Sequence, residues 1–169
     1  MARFDVGDAV IHPLHGAGIV VGFMELNQSE DDDVRYYKIE MLGRTKTSLM
    51  IPVTEEESIG LRPAVEEAEL ARMLEILSEA PDELPSNHKK RYRLLLEKLE
   101  EGDIYQVAEA LRDIWWRREE RDGLTTHGRE IYQKSMKLLS GEIAVVRGID
   151  IQAARSLLEG RLRENPSVD

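Results

Sequence analysis

His12 and His15 are the first side chains whose type and spacing suggest chemistry. Two imidazoles three positions apart can both ligate a metal, but a zinc site needs at least a third protein ligand. No acid or cysteine lies nearby at a recognised spacing. A turn with exposed imidazoles accounts better for His12-Pro13-Leu14-His15-Gly16. A metal-dependent enzyme built on this pair remains an alternative, which the absence of bound metal after gentle purification removes. Gly16-Ala17-Gly18 has the look of a phosphate-binding loop. The residues that follow, Ile19-Val20-Val21-Gly22-Phe23, read as a strand, whereas such loops open a helix whose N-terminus meets the phosphates. There is no Walker sequence, nucleophile elbow or candidate triad. The chain has no cysteine, which excludes disulfides, thiolate metal sites and thiol nucleophiles. Its glutamates alternate with lysines and arginines on helix faces, the ordinary pattern of solvated i,i+4 pairs. The sequence reads as non-enzymatic.

The second feature is electrostatic. The 169 residues carry a formal net charge of −10, which argues against indiscriminate binding to nucleic acid. The charge is unevenly spread. Residues 1–60 hold 5 basic and 11 acidic side chains, whereas residues 87–147 hold 13 and 11. Lys89, Lys90, Arg91 and Arg93 form a cluster with no acid between Ser86 and Leu96. If DNA is touched, it is touched there. Four phosphate contacts predict a salt slope of about −3.6, or roughly two orders of magnitude in affinity between 50 and 200 mM salt. The chain should therefore bind free duplex poorly and depend on tethering, which supplies an effective concentration on the order of millimolar.

Two kinds of element must position these residues. The first 60 residues carry short apolar or β-branched runs, Ala9–Ile11, Gly18–Met24, Val34–Met41 and Thr45–Val53, separated by turn signals. Four or five strands in that length predict a small barrel with meander connections. After Pro63 the period becomes helical, as Leu70, Met73, Leu74 and Leu77 show. Prolines 81 and 85 interrupt it. Ser86 or Asn87 caps a helix with the stripe Tyr92, Leu95, Leu96 and Leu99. Gly102-Asp103 leads into a helix with Ile104, Val107, Ala108, Leu111 and Trp115 on one face, closed by Asp122-Gly123. Thr125 or Thr126 opens a helix that runs to about Arg147, and Asp150 caps a last one. Trp115 continues a core face, while Trp116 lies about 120° from it. The fold class is α+β: a small β-barrel over residues 1–60, then a compact all-α bundle of about five helices over residues 63–165, with the seam near Ser58–Pro63. No stretch approaches the roughly 18 apolar residues a membrane helix needs, and the first residues show no signal peptide. A cytoplasmic location is expected.

The chain resembles the CarD family, also called the CdnL family. The carrying segments are Val6-Gly7-Asp8-Ala9-Val10-Ile11-His12-Pro13-Leu14-His15-Gly16, then Ile51-Pro52-Val53 and Ile59-Gly60-Leu61-Arg62. The helical half adds Arg91-Tyr92, Leu96-Glu97-Lys98-Leu99, Gly102-Asp103, Val107-Ala108-Glu109, Leu111-Arg112-Asp113-Ile114-Trp115 and Leu139-Ser140-Gly141-Glu142-Ile143-Ala144. The similarity spans about Phe4 to Val146. The first half alone is shared with transcription-repair coupling factors; the second makes the assignment specific.

The resemblance implies a Tudor-like N-terminal domain that binds a lobe of the RNA polymerase β subunit by strand addition. The expected edge is Thr45–Ile51, with Arg44, Lys46, Ser48 and Met50 as polymerase-binding residues. It also implies a helical domain on promoter DNA at the upstream edge of the transcription bubble, acting with the principal sigma factor and without a cofactor or membrane. Two positions depart from the family pattern. Where relatives commonly place a tryptophan that wedges into the minor groove, this chain has His88. Histidine offers less buriable ring area than tryptophan but can stack or donate to a groove acceptor. His88 with Lys89, Lys90, Arg91 and Arg93 therefore forms the expected DNA-binding set, with a weaker wedge. The other reading of His88 is a solvated loop histidine. Leu26 and Met50 fall where some relatives use arginines to hold polymerase. The alternative function is an adaptor that binds polymerase and a second protein but no DNA.

Overall fold

Residues 2–27, 33–43, 47–121 and 123–165 are described by the computed structural model. The alternating apolar runs of the first half form strands β1 (Ala9–His12), β2 (Gly16–Asn27), β3 (Asp33–Met41) and β4 (Ser48–Pro52). Each is antiparallel to the next, as the short turn-rich connections predict. The two-residue strand β5 (Arg62–Pro63) returns beside β1, giving the order β4-β3-β2-β1-β5. The expected seam near Ser58–Pro63 thus falls partly on a strand of this sheet. A register shift between Val20 and Gly22 bends β2. At Gly18 a Cβ would lie 2.6 Å from the Ile39 side chain, so only glycine lets β3 approach so closely there.

One face of the sheet buries Val10, Val20, Tyr37, Ile39 and Ile51 against Phe4 and Leu61. The Tyr37 hydroxyl donates to buried Glu56 and accepts the N–H groups of Arg3 and Phe4. It thereby ties the chain start to the short helix α1 (Glu56–Ile59). Burial and the adjacent Glu56 carboxylate raise the Tyr37 pKa above its ordinary value, so the hydroxyl remains a donor.

The second half forms α2 (Glu67–Leu77), α3 (His88–Glu100), α4 (Ile104–Arg121), α5 (Thr126–Arg147) and α6 (Ile151–Arg163). The i, i+3, i+4 stripes do what they predict. Leu70, Met73, Leu77, Leu95, Leu111, Ile114, Ile131, Leu139, Ile143, Leu158 and Leu162 share one core with Trp115. Asn87 caps α3 by accepting the N–H groups of Lys89 and Lys90, Thr125 caps α5, and Asp150 caps α6. Gly148 ends α5 with φ +62°, the left-handed conformation that glycine takes without strain. The observed class is α+β, an antiparallel five-stranded sheet followed by helices.

The two cores touch through α5. Gly141 faces Ala17 so closely that a Cβ would sit 3.3 Å from the alanine methyl. One helical turn is thereby fitted directly onto β2. Beside this contact, Arg62 of β5 makes a bidentate ion pair with Glu142 of α5, both hydrogen bonds 2.7 Å long. Glu142 also accepts the Val65 N–H at 3.0 Å. Glu142 is only 2% exposed, so its charge is compensated entirely by these partners. The sheet and the bundle are joined by fitted packing and a buried charge pair. No described helix is long and apolar enough to cross a membrane.

Candidate nucleic-acid interface and sheet edge

The basic cluster sits on the first turns of α3, immediately after the Pro81–Pro85 break. α2 has already ended at Leu77, the prolines keep the following segment out of helix, and the Asn87 cap starts α3 with His88 as its first residue. His88, Lys89, Lys90 and Arg93 are exposed. His88 is therefore a solvent-facing residue of a capped helix, not a loop residue. Arg91 is set apart from its neighbours. It is 7% exposed, and its Nη1 donates to the carbonyls of Pro85 and Ser86. Its guanidinium ties the break to the helix, which makes it a structural residue and leaves three outward cations in the cluster. Burial lowers the Arg91 pKa, and the charges of Arg117 and Arg121 add to the effect.

Those two arginines were not singled out by the sequence. They lie at i,i+4 near the C-terminal end of α4, and the packing of α3 on α4 brings them to the start of α3. The i,i+4 spacing was a visible signal, but only the helix packing says which surface that face joins. His127, at the start of α5, completes the neighbourhood by packing its ring 4.6 Å from that of Tyr92. Trp115 is buried and stacks on Tyr132, as its place on a core face predicts. Trp116 is half-buried on a different side of α4, beside Asp82 and Arg117.

At the other end of the molecule β4 is the last strand of the sheet and pairs only with β3 among the described residues. Its free side carries unpaired main-chain groups. Along β4 the side chains alternate: Leu49 and Ile51 turn inward, Ser48 and Met50 outward. Met50 lies opposite Lys38, and the next pairs along the same face are Tyr36 with Met24 and Val34 with Leu26. Met24 and Leu26 are both 42% exposed and Met50 is 37%. Leu26, Met24 and Met50 thus lie on one outward face, with Lys38 and Tyr36 of β3 between Met50 and the other two. Arg44 and Lys46, two of the four expected polymerase contacts, lie outside the described residues.

The turn between the histidines is present, but only His15 is exposed: His12 ends β1 and is buried. The His12 Nδ1 accepts the N–H groups of Leu14 and His15, and the two rings pack 4.6 Å apart. Burial, with a smaller effect of His15, holds the His12 pKa below 6.5, so the ring stays neutral and able to accept. Because Nδ1 accepts, the neutral ring carries its proton on Nε2. Among the described residues no three His, Cys, Asp or Glu side chains are grouped to hold a metal ion. Gly16-Ala17-Gly18 lies in β2, as the strand pattern after it predicts.

The structure thus joins an open-edged β unit to a helical bundle with a cationic helix start. Residues 4–65 match the CarD-like/TRCF RID domain, and residues 72–159 match the CarD C-terminal domain. The chain belongs to the CarD family of transcription regulators. It is also similar to the candidate transcription factor YdeB of Bacillus subtilis (strain 168), at 27% identity over 153 residues, covering 90% of this chain and 98% of that protein.

Proposed function

We propose that the chain binds the RNA polymerase β subunit through the β4 edge and contacts promoter DNA with the start of α3 at the upstream edge of the bubble, slowing its collapse. The observation that carries this reading is the exposed His88-Lys89-Lys90 turn, a cationic helix start on a chain of net charge −10. Such a surface cannot hold duplex by itself. With Lys89, Lys90 and Arg93 as phosphate contacts, the salt slope is about −2.7, only about fortyfold in affinity between 50 and 200 mM. Docked on polymerase, the same three cations act at an effective concentration on the order of millimolar. Selectivity then comes from the position of polymerase and the shape of the fork rather than from base edges. The free β4 edge, with Met50, Met24 and Leu26 exposed on one sheet face around Lys38 and Tyr36, suits strand addition onto a partly apolar partner surface. The match of residues 4–65 to a domain type shared by CarD-like proteins and TRCF supports the polymerase half of the reading.

The test is open-complex lifetime on matched polymerase and principal sigma factor with wild type, His88→Ala and His88→Trp. A ring at the fork works through buried area, so the expected order is Trp, then His, then Ala. Equal lifetimes for all three remove His88 from the fork. One observation favours the second reading, an adaptor that binds no DNA: the wedge position holds a small polar ring. A footprint of the ternary complex separates the two, because an adaptor adds no protection upstream of the bubble.

A further inference from the structure

A cleft of about 550 Å³ opens where the start of α3, the end of α4 and the start of α5 meet. Its floor is aliphatic, formed by Leu95, Ile114, Leu124 and Ile131, with the packed rings of Tyr92 and His127 as one wall. Its charged lining is entirely cationic: Arg91, Arg117 and Arg121, with no Asp or Glu among the described lining residues. Glu130, which lies 3.6 Å from the His127 Nδ1, is not part of the lining. Arg117 and Arg121 join no ion pair among the described residues, whereas Arg112 and Arg118 on the same helix are engaged by acids or by aromatic rings. Three guanidinium groups thus share one apolar hollow with no acid in its described lining, although Arg117 and Arg121 also border a neighbouring hollow with Asp82, Glu83 and Asp113. The first turn of α5, a 22-residue helix, opens into the same place. Its positive dipole end adds to the demand for an anion.

We propose that this cleft is a binding site for one small organic anion with an apolar body, such as an aromatic or alkyl carboxylate or sulfonate. The volume falls within the range of about 300–1,000 Å³ typical of small-molecule sites. Arg117 and Arg121 hold the charged end, Arg91 adds its field from the wall, and the aliphatic floor takes the body. A DNA phosphate would use the arginines but leave the floor uncovered, so the shape of the cleft favours an amphipathic occupant. Burial first, and then the like charges of Arg117 and Arg121, lower the Arg91 pKa, and a bound anion would offset the second of these.

The test is a fluorescence titration of the full chain alone, without polymerase or DNA, so its outcome is independent of the function proposed above. The probes are 8-anilinonaphthalene-1-sulfonate and its uncharged analogue N-phenyl-1-naphthylamine. The sulfonate should bind saturably with one site per chain and at least tenfold more tightly than the uncharged analogue. Arg117→Ala with Arg121→Ala should weaken sulfonate binding at least tenfold, and Leu124→Trp, which fills the floor, should weaken both probes. Equal affinity for the two probes, or sulfonate binding unchanged in both variants, overturns the proposal. If a variant fails to fold, the comparison of the two probes on the wild-type chain still decides the matter.

Discussion

Replacing Arg62 by alanine should destabilise the whole chain although Arg62 lies at the edge of a two-residue strand. The change leaves Glu142 buried with one of its three hydrogen bonds, the Val65 N–H. Removing one partner of a fully buried pair costs about 3–5 kcal/mol. The Arg62 side chain is 31% exposed, so part of its interaction is already screened by solvent, and the expected loss is about 2–3 kcal/mol. For a chain of this size that lowers Tm by roughly 4–12 °C. Urea unfolding of wild type, Arg62→Ala, Glu142→Leu and the apolar double variant Arg62→Met with Glu142→Leu measures the coupling. The double variant should be more stable than Arg62→Ala, because it buries no unpaired charge. A loss under about 0.5 kcal/mol for Arg62→Ala, or strict additivity in the cycle, refutes the view that this pair joins sheet to bundle.

Three further outcomes follow from the same geometry. Lys89→Ala should reduce the salt slope of DNA binding by about 0.9 with little change in stability. Arg91→Ala should leave that slope unchanged and cost about 1–3 kcal/mol in urea unfolding, because it releases two carbonyls that hold the break before α3. Stability should fall as pH drops below 6.5: His12 resists protonation in the fold while the unfolded chain takes up the proton at that value, so the unfolded state binds more protons in this window. His12→Asn, which keeps an acceptor in the turn, should flatten that part of the stability–pH curve when followed by chemical unfolding at pH 5 to 7.

Much of this architecture was legible in the residues. The change of period after Pro63 separated sheet from bundle, and Asn87, Thr125, Asp150 and Gly148 stand at the helix ends where capping chemistry puts them. Strand β5 was not legible, because two residues including a proline carry no periodicity; only its pairing with β1 creates it. The basic cluster read as four equivalent cations. Yet Arg91, Leu95 and Leu99 repeat at i, i+4 and i+8, which already placed Arg91 on the buried stripe. The Arg62–Glu142 pair joins residues 80 apart and had no local signature, although both lie in segments that carry the family resemblance. Arg117 and Arg121 were hidden for a related reason: a helix face acquires meaning only from the surface it packs beside.

The central claim is that one chain touches polymerase and melted promoter at the same time. A photo-crosslinking benzoylphenylalanine placed at Met50 in one preparation and at His88 in another tests it within the intact open complex. Position 50 should crosslink to the β subunit and position 88 to DNA at the upstream edge of the bubble. Crosslinking at position 50 with none to DNA at position 88 would contradict it and leave the adaptor; failure at both positions would remove the two-surface account altogether.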